Sequence, residues 1–221
     1  MSNPNPSSSR PNTSPNSTPK KQRLTAPSKA ETSLLPTFPG LSENQIHVPV
    51  SQQECQAAVD AITAAGVTGF DTEAKPTFRR GEKSSGPHVV QFALTDCAYL
   101  FQLHRPCCEK AAAKLIASEQ LLKVGFGLKN DHTQIRSRFG IELKHVLDLD
   151  QVYRQIGYGR NIGVRGAIGV QLKQCFKKSK TITMSNWAEN TLTPRQLVYA
   201  ANDAYAALKI MESLQSEGLL E

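Results

Sequence analysis

Four carboxylates and a tyrosine are the residues of this chain whose types and spacing could do chemistry. They are Asp71 and Glu73 in GFDTEAKP, Asp131 in VGFGLKND, and Tyr199 with Asp203 in YAANDAYAAL. Hard divalent cations need several oxygen ligands, and carboxylates supply both the oxygens and the balancing charge. Gathered in one place, these groups would hold two such ions and hydrolyse a phosphodiester. In an extended chain Asp71 and Glu73 project to the same face, because side chains alternate. A charged pair in a strand otherwise built from residues such as Val67 and Phe70 has to be paired or to bind a cation. Tyr199 and Asp203 stand at i and i+4 and share a face of a helix. Asp131 begins a helix, where the blander reading is a plain N-cap.

The elements that must position these groups are legible from residue 41 onward. IHVPV (46–50) reads as a short strand. Ser51 caps a helix over 52–65, in which Cys55, Ala58, Val59, Ile62 and Ala65 recur at helical spacing up to Gly66. GVTGFDTEA (66–74) is a strand. HVVQFALTD (88–96) and CAYLFQL (97–103) form a hairpin turning near Asp96. A helix over 107–118, a buried strand at 122–127, a helix from Asn130 or Asp131 to Phe139 and a strand beginning at 145 follow. Three strands and then alternating helix and strand predict a mixed sheet, antiparallel at one side and parallel at the other. Five glycines among basic residues mark 157–170 as a loop with freedom to move. The last helix carries the fullest signal, with Thr193 as N-cap, Pro194 at the first position and Gln196 closing a capping box. Leu197, Ala201, Ala204, Leu208 and Met211 form its apolar stripe. The surrounding alanines suit a helix packed closely on several sides.

Composition bounds the class. At 221 residues, with 39% hydrophobic and 20% charged residues, one domain with extras is expected. No run has membrane-spanning length and no secretory signal opens the chain, so a soluble cytoplasmic protein in a reducing compartment, with no membrane partner, is expected. The five cysteines fit no zinc spacing and read as idle thiols; the five histidines form no i,i+4 pair. Of the net charge of +7, residues 1–30 carry five surplus positive charges. Residues 154–180 carry seven more with no acid, leaving an acidic remainder. That asymmetry suits a polyanionic partner. Residues 1–40 read as a disordered basic tail rich in Ser, Pro and Asn, and 41–221 as the folded domain.

GFDTEAKP, KVGFGLKND and SNWAENTLTPRQLVYAANDAYAAL resemble the three exonuclease motifs of the DEDDy family of 3′–5′ exonucleases. That family contains ribonuclease D and the exonuclease domain of the Werner syndrome protein. The resemblance covers residues 45–215. It implies an α/β, ribonuclease H-like fold of the proofreading-exonuclease type, here with a mixed five-stranded sheet flanked by helices. It further implies that Asp71, Glu73, Asp131 and Asp203 are metal ligands for two Mg²⁺ or Mn²⁺ ions. Tyr199 matches the tyrosine that orients the attacking water. A phenol with an ordinary pKa near 10 is a poor general base at neutral pH, which favours positioning over proton abstraction. The implied activity is removal of nucleoside 5′-monophosphates from the 3′ end of DNA or RNA. Lys75, Lys173, Lys178 and Lys180 are candidate contacts to the nucleic-acid backbone. Asn190, Thr191 and Leu192 stand where ribonuclease D-like members carry Arg-Pro-Leu. With 18 residues after Asp203, a single-domain member without helical accessory domains is expected. The alternative is a catalytically silent exonuclease fold that only binds nucleic acid. An endonuclease on the same fold is disfavoured by Tyr199.

Overall fold

Thr193-Pro194-Arg195-Gln196 starts a helix as its chemistry demands. The Thr193 hydroxyl accepts from the Gln196 N–H, the Gln196 side chain accepts from the Thr193 N–H, and Pro194 takes a position that needs no donor. The resulting helix, Pro194–Ser216, is the last and longest in a computed structural model that describes residues 1, 23–78, 81–82, 84–159 and 162–220. Ser51 and Glu54 build the same capping box for Gln52–Ala65, which Gly66 ends in the left-handed conformation.

The strands are β1 (Ile46–His47), β2 (Val67–Glu73), β3 (Val89–Ala93), β4 (Ala98–Gln102), β5 (Leu122–Gly125) and β6 (Val146–Asp148). The helices are α1 (Lys29–Thr32), α2 (Gln52–Ala65), α3 (Pro106–Ala117), α4 (Lys129–Phe139), α5 (Leu149–Ile156), α6 (Gly163–Gln171), α7 (Lys180–Thr183) and α8 (Pro194–Ser216). One sheet has the order β1-β4-β3-β2-β5-β6. The pairs β2–β3 and β3–β4 are antiparallel; β1–β4, β2–β5 and β5–β6 are parallel. The mixed character is as predicted. The sheet has six strands rather than five, because β1 adds two residues to its edge.

Alternation sorts the two faces. Phe70, Val90, Phe92 and Phe101 pack with α2, α3 and Ile135 of α4. Val89, Ala93 and Leu100 meet α8 on the other face, and Val124 joins α5, α6 and α8 there. The alanines of α8 allow a close approach, and the closest is at Gly69. A Cβ there would lie 2.0 Å from the Ala204 carbonyl oxygen, so only glycine fits.

Two stretches depart from the sequence reading. The predicted loop over 157–170 contains α6, whose Val164, Ala167 and Ile168 are buried. Its glycines serve close packing: a Cβ at Gly166 would meet Ile162, and one at Gly169 would meet Thr32, each at 2.7 Å. The Gly163 N–H is held by the Asp150 carboxylate at 2.9 Å. Of the expected tail, residues 2–22 lie outside the described residues, whereas 23–40 lie along the domain. Ser28 and Glu31 form a capping box for α1, Leu24 bridges Tyr158, Thr37 bridges Cys175, and Phe38 is buried. The Asn202 side chain holds both the N–H and the carbonyl of Leu41, at 2.6 and 3.0 Å. Among the described residues no helix is long and apolar enough to cross a membrane.

Candidate active site

The central strand and the longest helix deliver the first carboxylates. Asp71 and Glu73 leave β2 on the face covered by α8, and Asp203 comes down from α8 to meet them. Oxygens from these three side chains lie within 4.8 Å of one another. Asp131 stands beside them from α4, its Oδ1 accepting the Thr72 hydroxyl. It is the third residue of its helix and not the N-cap. The free N–H groups before it, on Gly127 and Leu128, are held by Asp148 of β6 at 2.9 and 3.1 Å. With Asp148 in that role, Asp131 can turn towards the cluster.

The local electrostatics are those of negative charge with too little compensation. Burial, then Asp131 and Asp203, push the Asp71 carboxyl well above the carboxylate range. Burial, then Asp71 and Asp203, push Glu73 up to about 10. Burial also raises Asp131 and Asp203, opposed by the Thr72 hydroxyl and by Lys178 respectively. The Lys178 ammonium sits 2.7 Å from Asp203 Oδ2. Burial works against that charge, but Asp203 and Asp71 outweigh it and hold the ammonium protonated above its ordinary range. Among the described residues, Asp203 Oδ1 is buried without a hydrogen-bond partner, and so are both polar atoms of the Gln91 side chain. Gln91 is directly opposite Asp71 across the β2–β3 ladder. Orphaned oxygens beside clustered carboxylates fit the donor set of a hard, hydrated divalent ion.

Tyr199 borders the cluster one helical turn before Asp203. Its hydroxyl shares a 2.8 Å hydrogen bond with Thr183 of α7, and Lys178 Nζ lies 5.5 Å from its ring centre. Burial, then Asp203, raise its pKa, so the phenol stays protonated. The SNW run holds this corner together. Trp187 is buried and donates to the Thr183 carbonyl at 3.3 Å, while Gln196 reaches back to Ser185 and the Asn186 carbonyl. In the place of an Arg-Pro-Leu run, the Asn190 carbonyl accepts from Gln102 and Arg105. A cavity of about 760 Å³ opens beside Tyr199 and Asp203, bordered by Phe38, Phe176, Lys177 and Arg195.

All five predicted residues thus border one region: Asp71, Glu73 and Asp203 in contact range, Asp131 and Tyr199 flanking them. Of the four lysines, only Lys178 enters the cluster. Lys180 is exposed at the start of α7. The Lys75 N–H donates to His88 Nδ1 at 3.1 Å. Lys173 borders a different cavity with Thr25, Pro27 and Glu31, and its ammonium bonds to the Val170 carbonyl. Sequence reasoning missed Thr72, Gln91 and Thr183. Gln91 did leave a trace, as the one amide inside the apolar run HVVQFAL.

The chain is similar to known proteins over most of its described length. The profile of a family described as 3′-5′ exonuclease matches residues 46–218. Among curated relatives, the bifunctional 3′-5′ exonuclease/ATP-dependent helicase WRN of Mus musculus is 29% identical over 160 residues, covering 71% of this chain and 11% of its own. A 3′-5′ exonuclease of Arabidopsis thaliana is 29% identical over 152 residues, covering 66% of this chain and 52% of its own. The chain therefore spans about a tenth and about half of these two relatives. Among solved structures, the Aedes aegypti Nibbler EXO domain superposes with a TM-score of 0.68 at 23% identity, over 82% of this chain and 91% of that one. Trypanosoma brucei RNase D, in complex with RNA U12, gives 0.68 at 18% identity, over 76% and 62%. The fold is the ribonuclease H-like α/β fold of these exonucleases, and the chain belongs to the 3′–5′ exonuclease family.

Proposed function

We propose that the chain is a metal-dependent 3′–5′ exonuclease that hydrolyses the terminal phosphodiester of a nucleic-acid strand and releases nucleoside 5′-monophosphates. The observation that carries this reading is the convergence of Asp71, Glu73 and Asp203 within 4.8 Å, with their charge uncompensated. Asp71, Glu73, Asp131 and Asp203 would hold two Mg²⁺ or Mn²⁺ ions, since all-oxygen ligation selects hard cations. Bound there, such ions supply activation of water and stabilisation of charge on the departing 3′ oxygen.

The chain's own residues do the rest. Tyr199, protonated and fixed by Thr183, presents a phenolic oxygen that orients the attacking water rather than taking its proton. Thr72 fixes the rotamer of Asp131. Lys178 pairs with Asp203 and, with ions held by the carboxylates, would offer its ammonium to a substrate phosphate. The aromatic and cationic border of the adjoining cavity suits a base and its phosphate, with Lys180 and Lys75 as outlying backbone contacts. That RNase D was solved with RNA supports a nucleic-acid substrate for this chain too.

The test uses a 5′-labelled single strand and a duplex with a recessed 3′ end, each with Mg²⁺ or Mn²⁺, with and without chelator. A ladder shortening from the 3′ end, abolished by chelator and by Asp71→Asn, is expected. Binding without cleavage would replace this reading with that of a silent binding fold.

A further inference from the structure

Three cysteines far apart in sequence meet on the sheet face remote from Asp203. Cys55 lies in the first turn of α2, and Cys107 and Cys108 are the second and third residues of α3. Packing of the two helices brings the three sulfurs within 4.8 Å of one another, and Cys55 Sγ is 3.7 Å from Cys108 Sγ. Zinc–sulfur bonds of about 2.3 Å in tetrahedral geometry place the sulfurs about 3.8 Å apart. A disulfide would need them at about 2.05 Å. The 3.7 Å separation is a thiol–thiol hydrogen-bond contact that already matches the spacing of two sulfurs on one zinc-class ion.

Burial pushes the Cys55 and Cys108 thiols up, so the charge of the ion itself has to displace their protons. Both helices aim their N-termini at the sulfurs, where the peptide dipoles stabilise negative charge. A cavity of about 350 Å³ reaches Cys55 and Cys107 and is bordered by Lys110 and Lys114, which offset the net charge of three thiolates on a divalent ion. The cluster contains no carboxylate and no imidazole among the described residues, so it selects soft cations over hard ones. The Cys108 thiol donates to the Pro49 carbonyl at 3.1 Å and the Cys107 thiol to the Val50 carbonyl at 3.8 Å.

We propose that Cys55, Cys107 and Cys108 form a binding site for a thiophilic metal ion of the zinc class, held on three thiolates with a fourth position open to the cavity. Binding forms three metal–sulfur bonds and releases the three thiol protons to solvent. It ties the start of α2 to the start of α3 independently of the carboxylate cluster.

The full chain, stripped of metal and kept reduced with a phosphine, is titrated with Cd²⁺ while thiolate-to-metal charge-transfer absorption is followed. The carboxylate cluster gives no such band, so the two sites are told apart. Saturation at one equivalent, displacement by Zn²⁺ and a raised midpoint of thermal unfolding are expected. Cys107→Ser, at a half-buried position that a serine can fill, should weaken Cd²⁺ binding by about 100-fold or more. A Cys97→Ser/Cys175→Ser double variant should bind as the parent does. Absence of the band at one equivalent, an unchanged band in Cys107→Ser, or a Cys55–Cys108 disulfide in place of metal uptake would each overturn the proposal.

Discussion

Replacing Glu73 with glutamine should stabilise the metal-free protein at neutral pH and flatten its dependence on pH. In the folded chain the Glu73 carboxyl is raised from an ordinary 4.5 to about 10, by burial first and then by Asp71 and Asp203. Between those two values the folded state binds a proton that the unfolded state does not. Stability therefore falls as pH rises through that window, and the full contribution is present only below about 4.5. Each pH unit costs about 1.36 kcal/mol, so three units from pH 5 to pH 8 cost about 4 kcal/mol from this group alone. Sharing of protons within the cluster and partial solvent access reduce that to about 2–4 kcal/mol. His88 and His104, both shifted down by burial, act in the opposite sense but are common to both proteins. Urea unfolding in chelator at pH 5 and pH 8 measures the difference between wild type and Glu73→Gln. The wild type should lose about 2–4 kcal/mol more than the variant. Adding Mn²⁺ at a hundredfold its Kd should restore about 2.7 kcal/mol to the wild type and less to the variant. Parallel pH profiles for the two proteins would refute the claim that Glu73 is held in a field of buried like charges.

Lys178→Met removes the cation paired with Asp203 and should cost the protein in chelator about 1–2 kcal/mol at pH 7; equal urea midpoints in chelator would contradict this. Gly69→Ala places a methyl group against the Ala204 carbonyl and should destabilise by about 3 kcal/mol or more, as β2 and α8 are forced apart. An unchanged thermal midpoint would show that the two elements can separate without loss. Tyr199→Phe should lower turnover about 10²-fold or more while calorimetric Mn²⁺ binding stays near wild type, because the hydroxyl is held by Thr183 and the proposed ligands are the four carboxylates. Full activity in that variant would remove the positioning role.

What could be read beforehand follows from how local each cause is. The α8 boundary was legible because its capping bonds run between Thr193 and Gln196, three positions apart, with Pro194 between them. Asp71 and Glu73 shared a face because strand geometry requires it. Residues 157–170 misled because five glycines suggest freedom, whereas Gly166 and Gly169 are set by Ile162 and by Thr32, the latter 137 positions away. Similar distances in sequence hid the ordered stretch 23–40, in which Leu24 bonds to Gly157 and Phe38 to Cys175. Asp131 looked like a cap because its N-terminal neighbours needed one, and Asp148 from another strand supplied it. Lys178 gave only a charge to count; its contact with Asp203 depends on how the segment before α7 folds back. The three sulfurs met through the packing of α2 on α3, which their spacing does not encode.

Identification of the first product released from a single-stranded substrate tests the central claim most directly. With Mn²⁺, mass spectrometry of the wild-type reaction should find nucleoside 5′-monophosphates accumulating from the 3′ end. Asp203→Asn should release none above background. Nucleoside 3′-phosphates, internal fragments, or undiminished release by Asp203→Asn would contradict the account.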